Sequence, residues 1–154
     1  MKTIKLSKMI RILSPAALIG IIHMLYPVRL THGAETLFFT QVSPYAEIVW
    51  PIVLISYGYS WACSPRAQHG SYILTVIMLA IWMFMHSLQG TKLYALYALL
   101  TCCIIILSLL TVSNNASPLF VTPVLVCVLL AIVRNTNEVE EENSLLHAFR
   151  ISGI

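Results

Sequence analysis

"LYALYALLTCCIIILSLLTV", residues 93–112, runs for twenty residues without a charge, a proline or a glycine. At 1.5 Å per residue, a helix of that length covers about 30 Å, the thickness of a bilayer's hydrocarbon core. The run is continuous, whereas the strands of a transmembrane barrel alternate apolar and polar positions. It therefore reads as a membrane-spanning helix, and the rest of the chain is read outward from it.

Four further runs resemble it: "ILSPAALIGIIHMLYPV" (12–28), "AEIVWPIVLISYGYSWA" (46–62), "YILTVIMLAIWMFMHSL" (72–88) and the shorter "LFVTPVLVCVLLAIV" (119–133). Prolines 15, 51 and 123 fall inside runs, which membrane helices tolerate where neighbours satisfy the freed carbonyls. The chain is 58% hydrophobic and 10% charged, against about 25% charged in an ordinary soluble domain. It contains no Asp, and between Ile48 and Val133 only Arg66 and Lys92 carry formal charge. The expected fold is all-α, an integral membrane helical bundle of about five transmembrane helices. Residues 1–11 form a basic cytoplasmic N-terminus, 12–133 the multi-pass domain, and 134–154 a polar acidic tail.

Lys2, Lys5, Lys8 and Arg11 precede the first run, as a membrane insertion signal requires. Further spans follow that run, so a retained signal-anchor is expected. There is no basic stripe with interleaved aromatics, which argues against nucleic acid as a partner. With a cytoplasmic N-terminus, that side holds Lys2, Lys5, Lys8, Arg11 and Arg66, and the other holds Arg29, Lys92, Arg134 and Arg150. The difference is one charge, and the dense N-terminal cluster favours N-in. The expected location is a bacterial inner membrane. Cys102, Cys103 and Cys127 lie within apolar runs and Cys63 at the edge of one, without zinc-site spacing, so reduced buried thiols are expected.

Within the membrane the candidate chemistry is histidine. His23 and His86 sit about 17 and 21 Å along the first and third runs, both in the outer half of the bilayer under N-in insertion. Tyr26, Ser87, Lys92, Tyr94 and Tyr97 reach similar depth. Tyr94, Tyr97, Thr101 and Ser108 share one stripe at spacings of three, four and seven. This predicts a polar intramembrane cluster of Tyr26, Ser87, Tyr94, Tyr97 and Thr101 beside the two histidines. One reading has His23 and His86 facing each other to hold haem iron or a metal, or to serve proton or quinone chemistry. The other has each imidazole hydrogen-bonded across a helix interface, with no cofactor. No catalytic residue and no metal-ligand set is legible. The middles of the runs lack the Asp, Glu, Lys or Arg of ion-coupled transporters, and no phosphate loop or nucleophile elbow appears.

The tail "NEVEEENSLLHAFR" (137–150) carries four Glu within five residues. Mutual repulsion predicts a solvated, mobile stretch over 137–143. A short helix capped by Asn143 or Ser144 then presents Leu145, Leu146 and Phe149 on one face.

"PVLVCVLLAIV" (123–133) followed by "SLLHAFR" (144–150), with Tyr26-Pro27 in the first run, resembles an uncharacterised family of small bacterial inner-membrane proteins. Its members are often encoded beside fatty-acid-synthase-like genes for aryl-polyene lipids. Cys127 stands where that family usually has Asn, and Thr122 where it has Tyr. The resemblance implies an accessory membrane component of a lipid or polyketide-type export or biosynthesis pathway. The function expected is thus a non-enzymatic accessory or interaction protein, whose partners are membrane lipids and either a larger membrane protein or further copies of itself. The rivals are a small transport or redox subunit using His23 and His86, and a membrane immunity-type protein that blocks a pore-former by helix pairing.

Overall fold

The computed structural model describes residues 2–25, 44–88, 90–112 and 117–153. Five α-helices account for nearly all of them: α1 (Lys2–Leu25), α2 (Pro44–Cys63), α3 (His69–Ser87), α4 (Lys92–Val112) and α5 (Ser117–Ile151). A 3-10 turn at Arg66–Gln68 leads into α3, and the described residues contain no strand. Four stretches are long and apolar enough to cross a membrane: Lys5–Leu25, Arg66–Ser87, Lys92–Val112 and Pro118–Ile151. The protein is an all-α, multi-pass membrane bundle, with α2 as its fifth helix.

The helices close into a ring. α1 packs on α2, α2 on α5, α5 on α4, α4 on α3, and α3 returns to α1. Tyr57, Tyr72, Leu79, Leu99, Cys102, Ile106, Val121, Val124 and Val128 fill the centre. The closest approach is between α1 and α2. A Cβ at Gly58 would overlap the carbonyl oxygen of Ile12, so only glycine lets these backbones meet. There Ile12, in the first half of α1, meets Gly58, in the second half of α2. The α3–α4 connection is a tight reversal around Gly90, whose φ of 79° favours glycine. Thr91 Oγ1 donates to the carbonyl of Met85 there.

The bundle therefore has two ends. Arg11, Arg66, Val112 and Phe120 mark one: Gln68 Nε2 donates to the Val112 carbonyl at 3.4 Å, and Ser56 Oγ to that of Phe120 at 3.3 Å. His86, Lys92 and Glu138 mark the other.

One expectation is corrected. The last apolar run does not end at Val133 in a loose acidic tail, and no new helix starts at Asn143 or Ser144. A single helix runs from Ser117 to Ile151. The physical reason is local. Between Pro123 and Gly153 the sequence holds no proline or glycine, and Glu is a good helix former. Arg134 and Glu138 form an i,i+4 pair at 4.0 Å across the supposed boundary. The helix stops where glycine can adopt a positive φ, at Gly153 with φ 74°. At about 52 Å, α5 exceeds the hydrocarbon core by some 20 Å.

Candidate functional site

The buried face of α5 follows a 3-4 rhythm: Val121, Val124, Val128, Ala131, then Asn135 and Glu138. The apolar seam thus delivers two polar side chains to the Lys92 end of the bundle, where α3 stops and α4 starts. Asn135 is 2% exposed and His86 4%. His86 Nε2 lies 2.8 Å from a Glu138 carboxylate oxygen, and with a carboxylate as partner it is the donor. Lys92 Nζ stands 3.6 Å from the same oxygen and donates to the His86 carbonyl at 2.9 Å. Arg134 Nε lies 4.0 Å from the second carboxylate oxygen.

Asn135 completes the node by facing two ways. Its amide donates to the Lys92 carbonyl at 2.9 Å, and its oxygen accepts from Trp82 Nε1 at 3.3 Å. Trp82 and His86, one turn apart on α3, meet edge-on with ring centres 6.0 Å apart. One carboxylate thus serves three nitrogen groups, and the ends of α3, α4 and α5 are tied together. Lys92 also places a cation at the C-terminus of α3, where the helix dipole favours it.

A second polar layer lies toward the other end. Ser60 Oγ and Tyr72 OH are 2.7 Å apart, Tyr57 OH donates to the Tyr72 carbonyl at 3.4 Å, and Cys102 Sγ approaches the Thr75 carbonyl at 3.6 Å. These groups join α2, α3 and α4 and are closed on one another.

The expected residues are distributed differently. His23 is exposed on the last turn of α1 and has no hydrogen-bond partner among the described residues. No hydrogen bond joins it to His86, whose Nε2 is committed to Glu138. Ser87, Tyr94, Tyr97 and Thr101 are exposed rather than gathered inside, and Tyr26 lies outside the described residues. The polar cluster expected from these residues is thus replaced by one built from Trp82, His86, Lys92, Arg134, Asn135 and Glu138. Among the described residues, no group of three or more His, Cys, Asp or Glu is placed to hold a metal ion.

The displaced hydroxyls form a feature of their own. Tyr94, Tyr97, Thr101, Ile104, Ser108 and Thr111 repeat at 3-4-3-4-3 along α4, and every one is exposed. The stripe faces away from the buried seam of Ala95, Ala98, Leu99, Cys102, Ile106 and Leu109. Thr101 donates to the Tyr97 carbonyl at 2.9 Å, Ser108 to that of Ile105 at 2.7 Å, and Thr111 to that of Ser108 at 2.8 Å. Their oxygens keep acceptor lone pairs directed outward.

Comparison of the chain with protein-family profiles, with characterised proteins and with solved structures returns no match.

Proposed function

We propose that the protein is a non-enzymatic accessory or interaction protein of a bacterial inner membrane, working by pairing one of its membrane helices with a protein partner. The observation that supports this reading is the outward stripe of α4. A helix face meant only for lipid has no need of hydroxyls within the span, where Thr101 and Ser108 stand exposed. Hydroxyls and small side chains are what membrane helices use to hold each other. The interior groups point the same way: His86, Glu138, Lys92 and Asn135 are engaged with one another. The resemblance in residues 123–133 and 144–150 supports service in a lipid or polyketide-type pathway.

The test is native mass spectrometry of the tagged protein, extracted from its own membrane in mild detergent. The expected result is the 17.2 kDa chain bound to at least one further protein chain. A solitary chain carrying a haem, metal or quinone would overturn the reading in favour of a redox subunit, with His23 and His86 the first residues to change.

A further inference from the structure

We infer that the partner of the α4 stripe is a second copy of this chain inserted in the opposite orientation, with the two α4 helices paired antiparallel. The inference rests on the interaction reading above and names its occupant.

The register of the stripe carries the first argument. Turned end over end about the midpoint between Cys102 and Cys103, the stripe falls on itself. Tyr94 comes opposite Thr111, Tyr97 opposite Ser108, and Thr101 opposite Ile104. Neither tyrosine hydroxyl has a partner among the described residues, so both are available as donors. Ser108 and Thr111 have already given their protons to backbone carbonyls and can accept. The antiparallel register therefore sets donors against acceptors twice on each side of the two-fold axis. A parallel pair sets each residue against itself, placing Ser108 and Thr111, whose protons are engaged, opposite their own kind. The stripe covers 17 steps, about 25 Å, so pairing extends through most of the membrane.

Charge supplies the second argument. At the Arg66 end the described side chains are Lys5, Lys8, Arg11 and Arg66, with no acid among the described residues there. At the other end Glu138, Glu140, Glu141 and Glu142 outnumber Lys92, Arg134 and Arg150. The molecule is thus positive at one end and slightly negative at the other. Arg66 sits on the turn whose Gln68 reaches Val112, the last residue of α4. α5, which carries the acids past the bundle, packs along α4 itself. Antiparallel copies place the basic end of each beside the acidic end of the other, whereas parallel copies place like beside like.

Insertion supplies the third. Orientation follows Lys and Arg near helix ends, and acids contribute little. The described cations number four at one end and three at the other, named above. A bias of one charge is too small to bar the reverse insertion that antiparallel pairing requires, although the N-terminal cluster by itself favours N-in.

The test is cross-linking in native membranes, in a Cys63→Ser background that removes the exposed native thiol. Two differently tagged copies are co-expressed, one carrying Tyr97→Cys and the other Ser108→Cys, and oxidised with copper phenanthroline. The expected product is a disulfide-linked pair carrying both tags, with no comparable pair between two Tyr97→Cys copies. Ser152→Cys, treated with a membrane-impermeant maleimide on intact cells, should label about half of the chains and the rest after permeabilisation. Thr101→Leu in both copies, with Ser108→Leu in the Tyr97→Cys copy, should reduce the mixed cross-link about tenfold, on the scale of one to two interhelical hydrogen bonds. Self-linkage of Tyr97→Cys, labelling from one side alone, or no linkage between copies would each overturn the inference. A different protein partner found without a second copy would sink it while leaving the interaction reading standing. An antiparallel pair lacking any pathway partner would do the reverse to the accessory role.

Discussion

The α5 node and the α4 stripe are both polar, and they differ in whether other helices meet their side chains. The α5 seam of Val124, Val128, Ala131, Asn135 and Glu138 and the α4 stripe of Tyr94, Tyr97, Thr101, Ile104, Ser108 and Thr111 have the same 3-4 rhythm. The first is turned inward, and its polar members are met by Trp82, His86 and Lys92. The second is turned outward, and among the described residues Thr101, Ser108 and Thr111 bond back to their own helix. In a bilayer both faces of a helix are apolar by default, so polarity alone does not separate inside from outside. Closure separates them. A closed polar group holds the fold together, and an open one invites a partner.

Glu138→Ala is the largest break available in that contrast. It leaves His86, Lys92 and Arg134 gathered without their anion at the end of the bundle. Removing one member of a buried ion pair costs about 3 kcal/mol or more. Thermal unfolding in mild detergent, followed by tryptophan fluorescence, should show a clear fall in midpoint. An unchanged midpoint would mean that the node does not hold the three helix ends. Asn135→Ala should cost less, about 1–2 kcal/mol, because it removes two neutral hydrogen bonds and strands the Trp82 indole N–H. A cost equal to that of Glu138→Ala would place the tie in the amide and not in the charges.

The same contrast explains what the sequence made legible. The five apolar runs become the five helices, and residues 93–112 match α4 to within a residue. Length and continuity suffice for that, because a bilayer rewards nothing else so strongly. The polar partners were harder to read. Glu138 belongs to a charged stretch that looks solvated when only its like-charged neighbours are counted. Its place becomes visible when the seam of Val121, Val124 and Val128 is carried on past Val133 through Ala131 and Asn135 at unbroken spacing. That signal was present in the sequence. The direction of the α4 stripe was not, since Leu93, Leu100 and Ile104 are exposed while Leu99 and Ile106 are buried, and the same residue types serve both faces. His23 and His86 look equivalent by depth. They differ because a carboxylate on α5, 52 residues further along, reaches only the second.

The smallest expected effect tests the open side of the comparison. Thr101→Val and Ser108→Ala each remove a hydroxyl that is exposed and, among the described residues, bonded within its own turn of α4. Neither change opens a cavity, because neither side chain is packed in the core. Surface substitutions away from such features usually shift stability by no more than about 0.5 kcal/mol. The unfolding midpoint of the single chain in detergent should therefore stay within that margin for either variant, far from the Glu138→Ala result. The intact membrane is where these two variants should differ from the parent, through weaker association and not through a weaker fold. If Thr101→Val instead unfolds the single chain as Glu138→Ala does, the stripe is part of the bundle's own closure. The distinction between a closed node and an open face would then have to be redrawn around α4.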